Sequence, residues 1–190
     1  GPGAFGTALA VAQAAEGRLV TLWGRDPDAM ALAQSRRETP RLPGVPLPKS
    51  LRCTSTLADL AHAKAILLVL PAQQTEPFLT AAADHLPRVP LVLCAKGIDA
   101  RTHALQSEIA AARAPHRPLA ALTGPGFAAE IAKGLPTALT LACADATLGP
   151  QLQQTLATSR IRLYLTDDLT GAQLGGALKN VVAIACGIAD

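Results

Sequence analysis

Gly1-Pro2-Gly3-Ala4-Phe5-Gly6 opens the chain and runs straight into the apolar segment Thr7-Ala8-Leu9-Ala10-Val11-Ala12. The spacing is G-x-G-x-x-G, that of a turn which holds a dinucleotide pyrophosphate. Gly1 permits the sharp turn, Gly3 leaves bare backbone for the phosphates, and Gly6 lets the following helix approach its sheet. The start of that helix adds N–H groups without intrahelical partners and the positive end of the helix dipole. Such a turn is fed by a buried strand, and no residue stands before Gly1, so the sequence reads as cut at its first strand. A tight glycine turn before any helix matches the same pattern, so the reading needs support from other segments.

Lysine supplies a second signal. Of the 17 basic residues, 12 are arginine and only five are lysine, at positions 49, 64, 96, 133 and 179. A lysine pKa can be lowered by its surroundings whereas arginine stays charged, so a chain that prefers arginine keeps lysine where a proton must move. Lys96 lies in Ala95-Lys96-Gly97, just past an apolar run, where it could meet a phosphate or a carbonyl oxygen. Lys179 lies in Gly175-Gly176-Ala177-Leu178-Lys179-Asn180. Helical spacing puts Gly175 and Gly176 on its face, leaving a smooth surface for a nucleotide or substrate. Desolvation there is expected to lower the Lys179 pKa towards a range useful for proton transfer. Each interior glycine costs a helix about 1 kcal/mol relative to alanine, so Gly171, Gly175, Gly176 and Gly187 need close packing to offset them. Glycine-mediated helix packing with a solvated lysine is the plainer alternative.

The elements that must position these residues alternate between strand and helix. Helices are expected over 5–16, 27–37, 75–86, 102–112, 127–133, 148–157 and from 167 onward, the last capped by Thr166 with Asp167 and Asp168 in its first turn. Strands are expected over 19–23, 65–70, 91–94, 119–122, 137–143 and 161–165. The continuous apolar run from Ala65 to Leu70 reads as a central parallel strand. Prolines 40, 43, 46 and 48 mark a stiff surface connection. Strands alternating with helices imply a doubly wound, mainly parallel sheet of Rossmann type, whose ligands bind beyond the carboxyl ends of the strands. Those ends carry Gly24-Arg25-Asp26, Pro71-Ala72, Ala95-Lys96-Gly97 and Thr123-Gly124-Pro125-Gly126-Phe127. Gly24 and Arg25 suit the 2′-phosphate of NADP, and Asp26 could still reach the ribose hydroxyl of NAD. Thr123 to Phe127 repeats the logic of the opening turn, bare backbone leading into a helix.

Composition narrows the function classes. With 49% hydrophobic and 16% charged residues the chain has ample apolar surface for a core. A net charge of +3, with scattered basic residues, gives no reason to expect a nucleic-acid partner. The four cysteines and four histidines are too dispersed for a metal site, and the cysteines read as buried thiols in a reducing compartment. The apolar run from Ala65 to Ala72 is too short to span a bilayer. The expectation is a cytoplasmic protein with a small-molecule partner and no membrane insertion.

Taken in order, G-P-G-A-F-G-T-A-L-A, L-W-G-R-D, A-K-G, G-P-G-F-A-A-E, K-G-L-P-T-A and Q-L-G-G-A-L-K-N-V-V-A-I resemble the bacterial NAD(P)-dependent glycerol-3-phosphate dehydrogenases. The resemblance implies a dinucleotide-binding domain over residues 1–165 and, over 166–190, the first helix of an α-helical substrate domain. It implies interconversion of sn-glycerol 3-phosphate and dihydroxyacetone phosphate with NADP or NAD, supplying glycerol phosphate for phospholipids. By the same resemblance Lys179 is the catalytic proton acceptor and touches the substrate. Lys96 touches cofactor and substrate, Gly124 and Gly126 the substrate, and Gly1, Gly3, Ala4, Phe5, Gly6, Arg25 and Ala128 the cofactor. A homodimer is compatible with it. Two departures stand out: Gly126 occupies a position where the family carries serine or threonine, and the Asp and Arg-Asn pair that surround the substrate phosphate belong to a part of the family beyond Asp190. Residues 1–190 alone are therefore expected to be inactive. The readings left beside it are another Rossmann-type hydroxyacid or ketopantoate dehydrogenase, and a non-catalytic dinucleotide-sensing module.

Overall fold

Seven strands and seven α-helices lie among the described residues, 1–189, of the computed structural model, alternating except that the third strand follows directly on the second. In chain order they are α1 (Ala4–Ala15), β1 (Val20–Trp23), α2 (Pro27–Arg36), β2 (Leu51–Thr54), β3 (Ile66–Leu68), α3 (Thr75–Ala82), β4 (Leu91–Leu93), α4 (Gln106–Arg113), β5 (Leu119–Thr123), α5 (Ala128–Ala132), β6 (Thr137–Ala142), α6 (Leu148–Leu156), β7 (Ile161–Thr166) and α7 (Leu169–Ala189). β1 pairs in parallel with β2, Val20 opposite Leu51. The other strands lie in the order β3-β4-β5-β6-β7, all neighbours parallel except β5 and β6. The fold is thus the expected Rossmann-type α/β sheet, mainly parallel, ending in a long helix.

Side-chain alternation along the strands divides the core in two. Val92, Cys94, Ala120, Leu122, Leu139 and Leu141 face α1, α2 and α6. Leu91, Leu93, Ala121 and Ala142 face α3, α4 and the start of α7. Leu91 and Val92 are neighbours on β4 and both are 0% exposed, so this strand is covered on both faces. That is why its sequence is a continuous apolar run rather than an alternation. Each such leucine or valine contributes roughly 1.5–3 kcal/mol by leaving water.

β1 and β3 share no ladder. The Gly1-Pro2 dipeptide lies at this seam: a Cβ on Gly1 would stand 3.0 Å from the Val69 carbonyl oxygen, and one on Gly24 would stand 2.8 Å from the Pro2 ring. The seam is thus lined by the backbone that leads into the glycine turn. It also corrects the placing of β3, which borders the seam instead of running through the middle of a continuous sheet.

Several local expectations are corrected. β2 lies in what the sequence presents as a connection. Its start is held from outside: Arg37, in the left-handed region at φ 55°, donates to the carbonyls of Leu47 and Pro48 ahead of the strand and of Leu51, its first residue. The proline-rich segment is not a bare surface link, because Leu42, Val45 and Leu47 are buried in the core. α4 starts four residues later than expected. Residues 99–102 form a turn instead, in which the Asp99 carboxylate accepts from the Arg101 and Thr102 N–H groups and from the Thr102 hydroxyl. α7 is capped by Asp168, not Thr166: the Asp168 carboxylate accepts from the Gly171 N–H at 2.7 Å, and a Cβ at Gly171 would collide with it. Cys53, Cys94 and Cys143 are buried, whereas Cys186 is exposed on α7.

α7 also bears on the membrane expectation. Its 21 residues, with a mean hydropathy of 1.4 over the most apolar window, are long and apolar enough to cross a bilayer by length and composition. Its first half nevertheless packs against α4 through Gln173 and against the end of β5 through Gly176, both buried, while Leu178, Val181, Val182, Ile184 and Ile188 are exposed.

Candidate active site

The loop ends at the seam converge on one cleft of about 460 Å³, within the range of small-molecule sites. It is lined by Gly3, Ala4, Phe5 and Gly6 from the glycine turn, by Val69 to Ala72 after β3, by Cys94, Ala95 and Lys96 after β4, and by Gly126, Phe127 and Ala128 ahead of α5. Seven of the residues expected in the site therefore meet in one place: Gly3, Ala4, Phe5, Gly6, Lys96, Gly126 and Ala128.

The glycine turn presents backbone alone. Gly3 is the N-cap of α1, so no side chain caps the helix, and its first turn holds no acidic residue to offset the positive end. Its free N–H groups and uncompensated dipole suit a pyrophosphate. The three glycines do different work. A Cβ on Gly3 would meet nothing within 4 Å, so the surface beside it is open to a ligand. A Cβ on Gly6 would collide with the Gly1 carbonyl oxygen and stand 3.3 Å from the Val69 Cβ, so this glycine permits the close approach of α1 to the end of β3.

Lys96 is the hub of the opposite wall. Its Nζ donates to the Gly124 carbonyl oxygen at 3.0 Å and lies 5.4 Å from the centre of the Phe5 ring, a cation–π distance. Partial burial holds its pKa below the usual lysine value, and the charge of Lys179 lowers it further. The ammonium therefore joins the glycine turn, the end of β4 and the end of β5. Gly124 does not line the cleft wall itself but reaches it through this bond. Its φ of +138°, with a Cβ position 3.0 Å from the Leu139 side chain, leaves room for no other residue. Cys94 lies beside Lys96, but burial pushes its thiol up to about 12, so it packs as a neutral group and not as a thiolate.

Other expected residues stand apart. Gly1 sits at the seam behind the turn, shaping it without lining the cleft. Arg25 is exposed just after β1. The Asp26 carboxylate beside it accepts from the Ala29 N–H at 3.0 Å through Oδ1 as the N-cap of α2. Lys179 is exposed on α7, and the burial expected to desolvate it is not present among the described residues. Gly176 is the glycine that brings α7 in: a Cβ there would lie 2.8 Å from the Thr123 Oγ1 and 3.9 Å from the Lys96 Cγ. Gly175 and Gly187, by contrast, have nothing within 4 Å, so close packing does not account for them. At Gly126 the side-chain direction is filled by Ile131, Thr137 and Leu139 at 2.9–3.2 Å. A hydroxyl-bearing residue there would have to displace them.

Phe127, 70% exposed at the rim, and the Val69-Leu70-Pro71-Ala72 wall were not singled out as site residues from sequence. The rule that ligands bind beyond strand ends pointed to Pro71-Ala72 and to the segment from Thr123 to Phe127, without a role for the Phe127 ring itself.

The family comparisons agree with this geometry. Residues 1–149 match the family model for the NAD-dependent glycerol-3-phosphate dehydrogenase N-terminus, and residues 168–190 match the model for its C-terminus. The chain belongs to the NAD-dependent glycerol-3-phosphate dehydrogenase family. It is 54% identical over 189 residues to a glycerol-3-phosphate dehydrogenase [NAD(P)+] of Paracoccus denitrificans, covering 100% of this chain and 58% of that protein. It is 50% identical over 192 residues to the protein of the same name from Paramagnetospirillum magneticum, covering 100% and 70%. Among solved structures, glycerol-3-phosphate dehydrogenase from Coxiella burnetii superposes with a TM-score of 0.92 at 33% identity, over 100% of this chain and 59% of that one. The chain thus spans little more than half the length of the Paracoccus relative. This membership sets aside the hydroxyacid and ketopantoate dehydrogenase readings.

The glycines give a test that separates fold from binding. Gly3→Ala should fold with an unchanged melting temperature, because its Cβ enters open space, yet lose at least tenfold in nucleotide affinity by covering the phosphate surface. Gly6→Ala should lower the melting temperature as well. Melting curves and nucleotide titrations of both variants in the full-length protein check this; equal affinity for wild type and Gly3→Ala would remove Gly3 from the phosphate site.

Proposed function

We propose that the full-length protein interconverts sn-glycerol 3-phosphate and dihydroxyacetone phosphate with NADP or NAD, and so supplies glycerol phosphate for phospholipid synthesis. The single observation that carries this is the meeting of a bare helix N-terminus and a partly buried lysine across one cleft, in a chain of this family. The relatives' printed name gives the reaction. In this reading residues 1–165 form the dinucleotide-binding domain, and 166–190 are the first helix of the substrate domain. The rest of that domain covers the exposed apolar half of α7.

The residues present fit a dinucleotide. Gly3 and the first turn of α1 would hold the pyrophosphate, Gly1 and Gly6 would shape that turn, and Ala4, Phe5 and Ala128 would flank the ligand. When bound, the nicotinamide supplies or accepts the hydride. Lys179 holds and releases the proton on the substrate C2 oxygen. Lys96, anchored on Gly124 and stacked on Phe5, places a positive charge between cofactor and substrate, where it favours the negative charge that develops on that oxygen. The backbone of Gly124 and Gly126 would border the substrate. The serine or threonine hydroxyl of the wider family has no counterpart at Gly126, which therefore contributes backbone only. Substrate phosphate would be held by the α-helical domain, so turnover is assigned to the full-length protein and not to residues 1–190. Its location in this reading is the cytoplasm, its assembly a homodimer.

Two tests follow. In the full-length enzyme, assayed with dihydroxyacetone phosphate and NADPH, Lys179→Ala should lower kcat by roughly 10²–10⁴-fold, the range for a positioned proton-transfer group. Cofactor affinity should change little; a kcat near that of wild type would remove Lys179 from the role. Arg25, exposed just after β1, is assigned to the 2′-phosphate of NADP. Arg25→Ala should raise the KM for NADPH and leave that for NADH nearly unchanged. An equal rise for both would mean that Arg25 touches some other part of the cofactor.

A further inference from the structure

Lys96 and Lys179 belong to segments far apart in the chain, and two successive residues in the first turn of α4 hold both of those segments. Gln106, 1% exposed, donates from Nε2 to the Gly97 carbonyl oxygen at 3.0 Å, directly after Lys96. Ser107 is bound twice by Gln173 of α7. The Ser107 N–H donates to the Gln173 Oε1 at 3.0 Å, and the Gln173 Nε2 donates to the Ser107 Oγ at 2.8 Å. The same Nε2 donates to the Leu169 carbonyl oxygen at 2.9 Å, which fixes the amide against its own helix.

Gln173 is 7% exposed, so its amide is a buried polar group with both ends satisfied. Removing one partner from such a network leaves the other unsatisfied and lets the joined elements shift. One turn further along α7, Gly176 passes over Thr123 and the Lys96 stem, and three residues later comes Lys179. The route from the α4 turn to each lysine is therefore short: one residue to Lys96 from Gly97, and less than two helical turns to Lys179 from Gln173.

We propose that Gln173 is a positioning residue: through Ser107 it fastens α7 to the helical turn that also holds the Lys96 loop, and so sets where Lys179 stands relative to Lys96. The inference rests on the proposed function, in which both lysines act on one substrate. Its physical content is a requirement for geometry. Two groups that meet the same small molecule must be placed to a fraction of an ångström, and a misplacement of about 1 Å can cost on the order of 10²-fold in rate. A helix held only by apolar contacts can rotate or slide by such an amount; one held by a two-point amide bond has a defined rotation and height.

The test uses the full-length enzyme with dihydroxyacetone phosphate and NADPH. Gln173→Met keeps the length and loses both hydrogen-bonding ends; Gln173→Glu keeps an acceptor for the Ser107 N–H and hydroxyl; Ser107→Ala removes one of the two bonds. Gln173→Met should lower kcat by about 10–100-fold, with the KM for NADPH within twofold of wild type, and Gln173→Glu should recover most of that loss. In a Lys179→Ala background Gln173→Met should cost little more, because residues acting through one group are not additive. If Gln173→Met does not fold, Ser107→Ala carries the same comparison, with a smaller fall in kcat expected. Folded variants with kcat within twofold of wild type, or a loss that adds in full to that of Lys179→Ala, overturn the inference and leave the proposed function standing. A wild-type enzyme that does not turn over dihydroxyacetone phosphate with NADPH overturns both.

Discussion

The close approach of α1 to the seam is the constraint on which the rest depends. Among the described residues no ladder joins β1 to β3, so the two-stranded and five-stranded sheets are held together by what packs across them. α1 does this: its buried face shares one core with Leu22 of β1, Leu51 and Cys53 of β2, Val92 and Cys94 near β4, and α6. The helix can lie this close only because Gly6 has no side chain to strike the Gly1 carbonyl and Val69. One consequence is structural, a core continuous across the seam. The other is chemical: the uncapped end of α1 is delivered to the strand ends where Lys96 stands. In this fold the turn that lets α1 pack closely is also the one that the proposed function assigns to the pyrophosphate.

On the far side of the cleft the structure depends on small polar contacts where α1 depends on apolar ones. Loops after parallel strands carry no ladder of their own, so side chains must take up their backbone groups. After β4, Gln73 pairs with both the carbonyl of Ile98 and the N–H of Ala100, Gln106 holds Gly97, and Asp99 gathers the next turn. The lysine that reaches the ligand space thus stands on a loop fastened at several points. That suits a group whose usefulness lies in where its charge is fixed, and the amides that fasten the loop come from its neighbours, Gln73 after β3 and Gln106 at the start of α4.

The sequence made much of this legible, and its failures have physical causes. The glycine turn, the apolar strands and Lys96 beyond β4 were readable because each is a local pattern in neighbouring residues. β2 was not, because Leu51-Arg52-Cys53-Thr54 is short, carries a charge and follows four prolines; its place is set by Arg37 and by pairing with β1, neither visible in the segment itself. The start of α4 was missed since Asp99 and Thr102 form a turn that competes with helix, the usual behaviour of such side chains. At α7, Thr166 and Asp168 are both good caps by type, and only the backbone path decides between them. The sequence places Phe127 in a strand-end segment, but the exposure of its ring at the rim depends on the space around it, not on its neighbours in sequence. The exposure of Lys179 shows the limit of spacing arguments: helical periodicity located the face, but burial depends on what covers it.

The central claim is that one cleft, between the bare end of α1 and Lys96, receives both the dinucleotide and the triose phosphate. A crystal structure of the full-length protein with NADPH and dihydroxyacetone phosphate tests it most directly. The account predicts the pyrophosphate against the backbone of Gly3 and the first turn of α1, and the Lys96 ammonium within hydrogen-bond distance of the substrate. A pyrophosphate bound away from Gly3, or a substrate out of reach of Lys96, would contradict it.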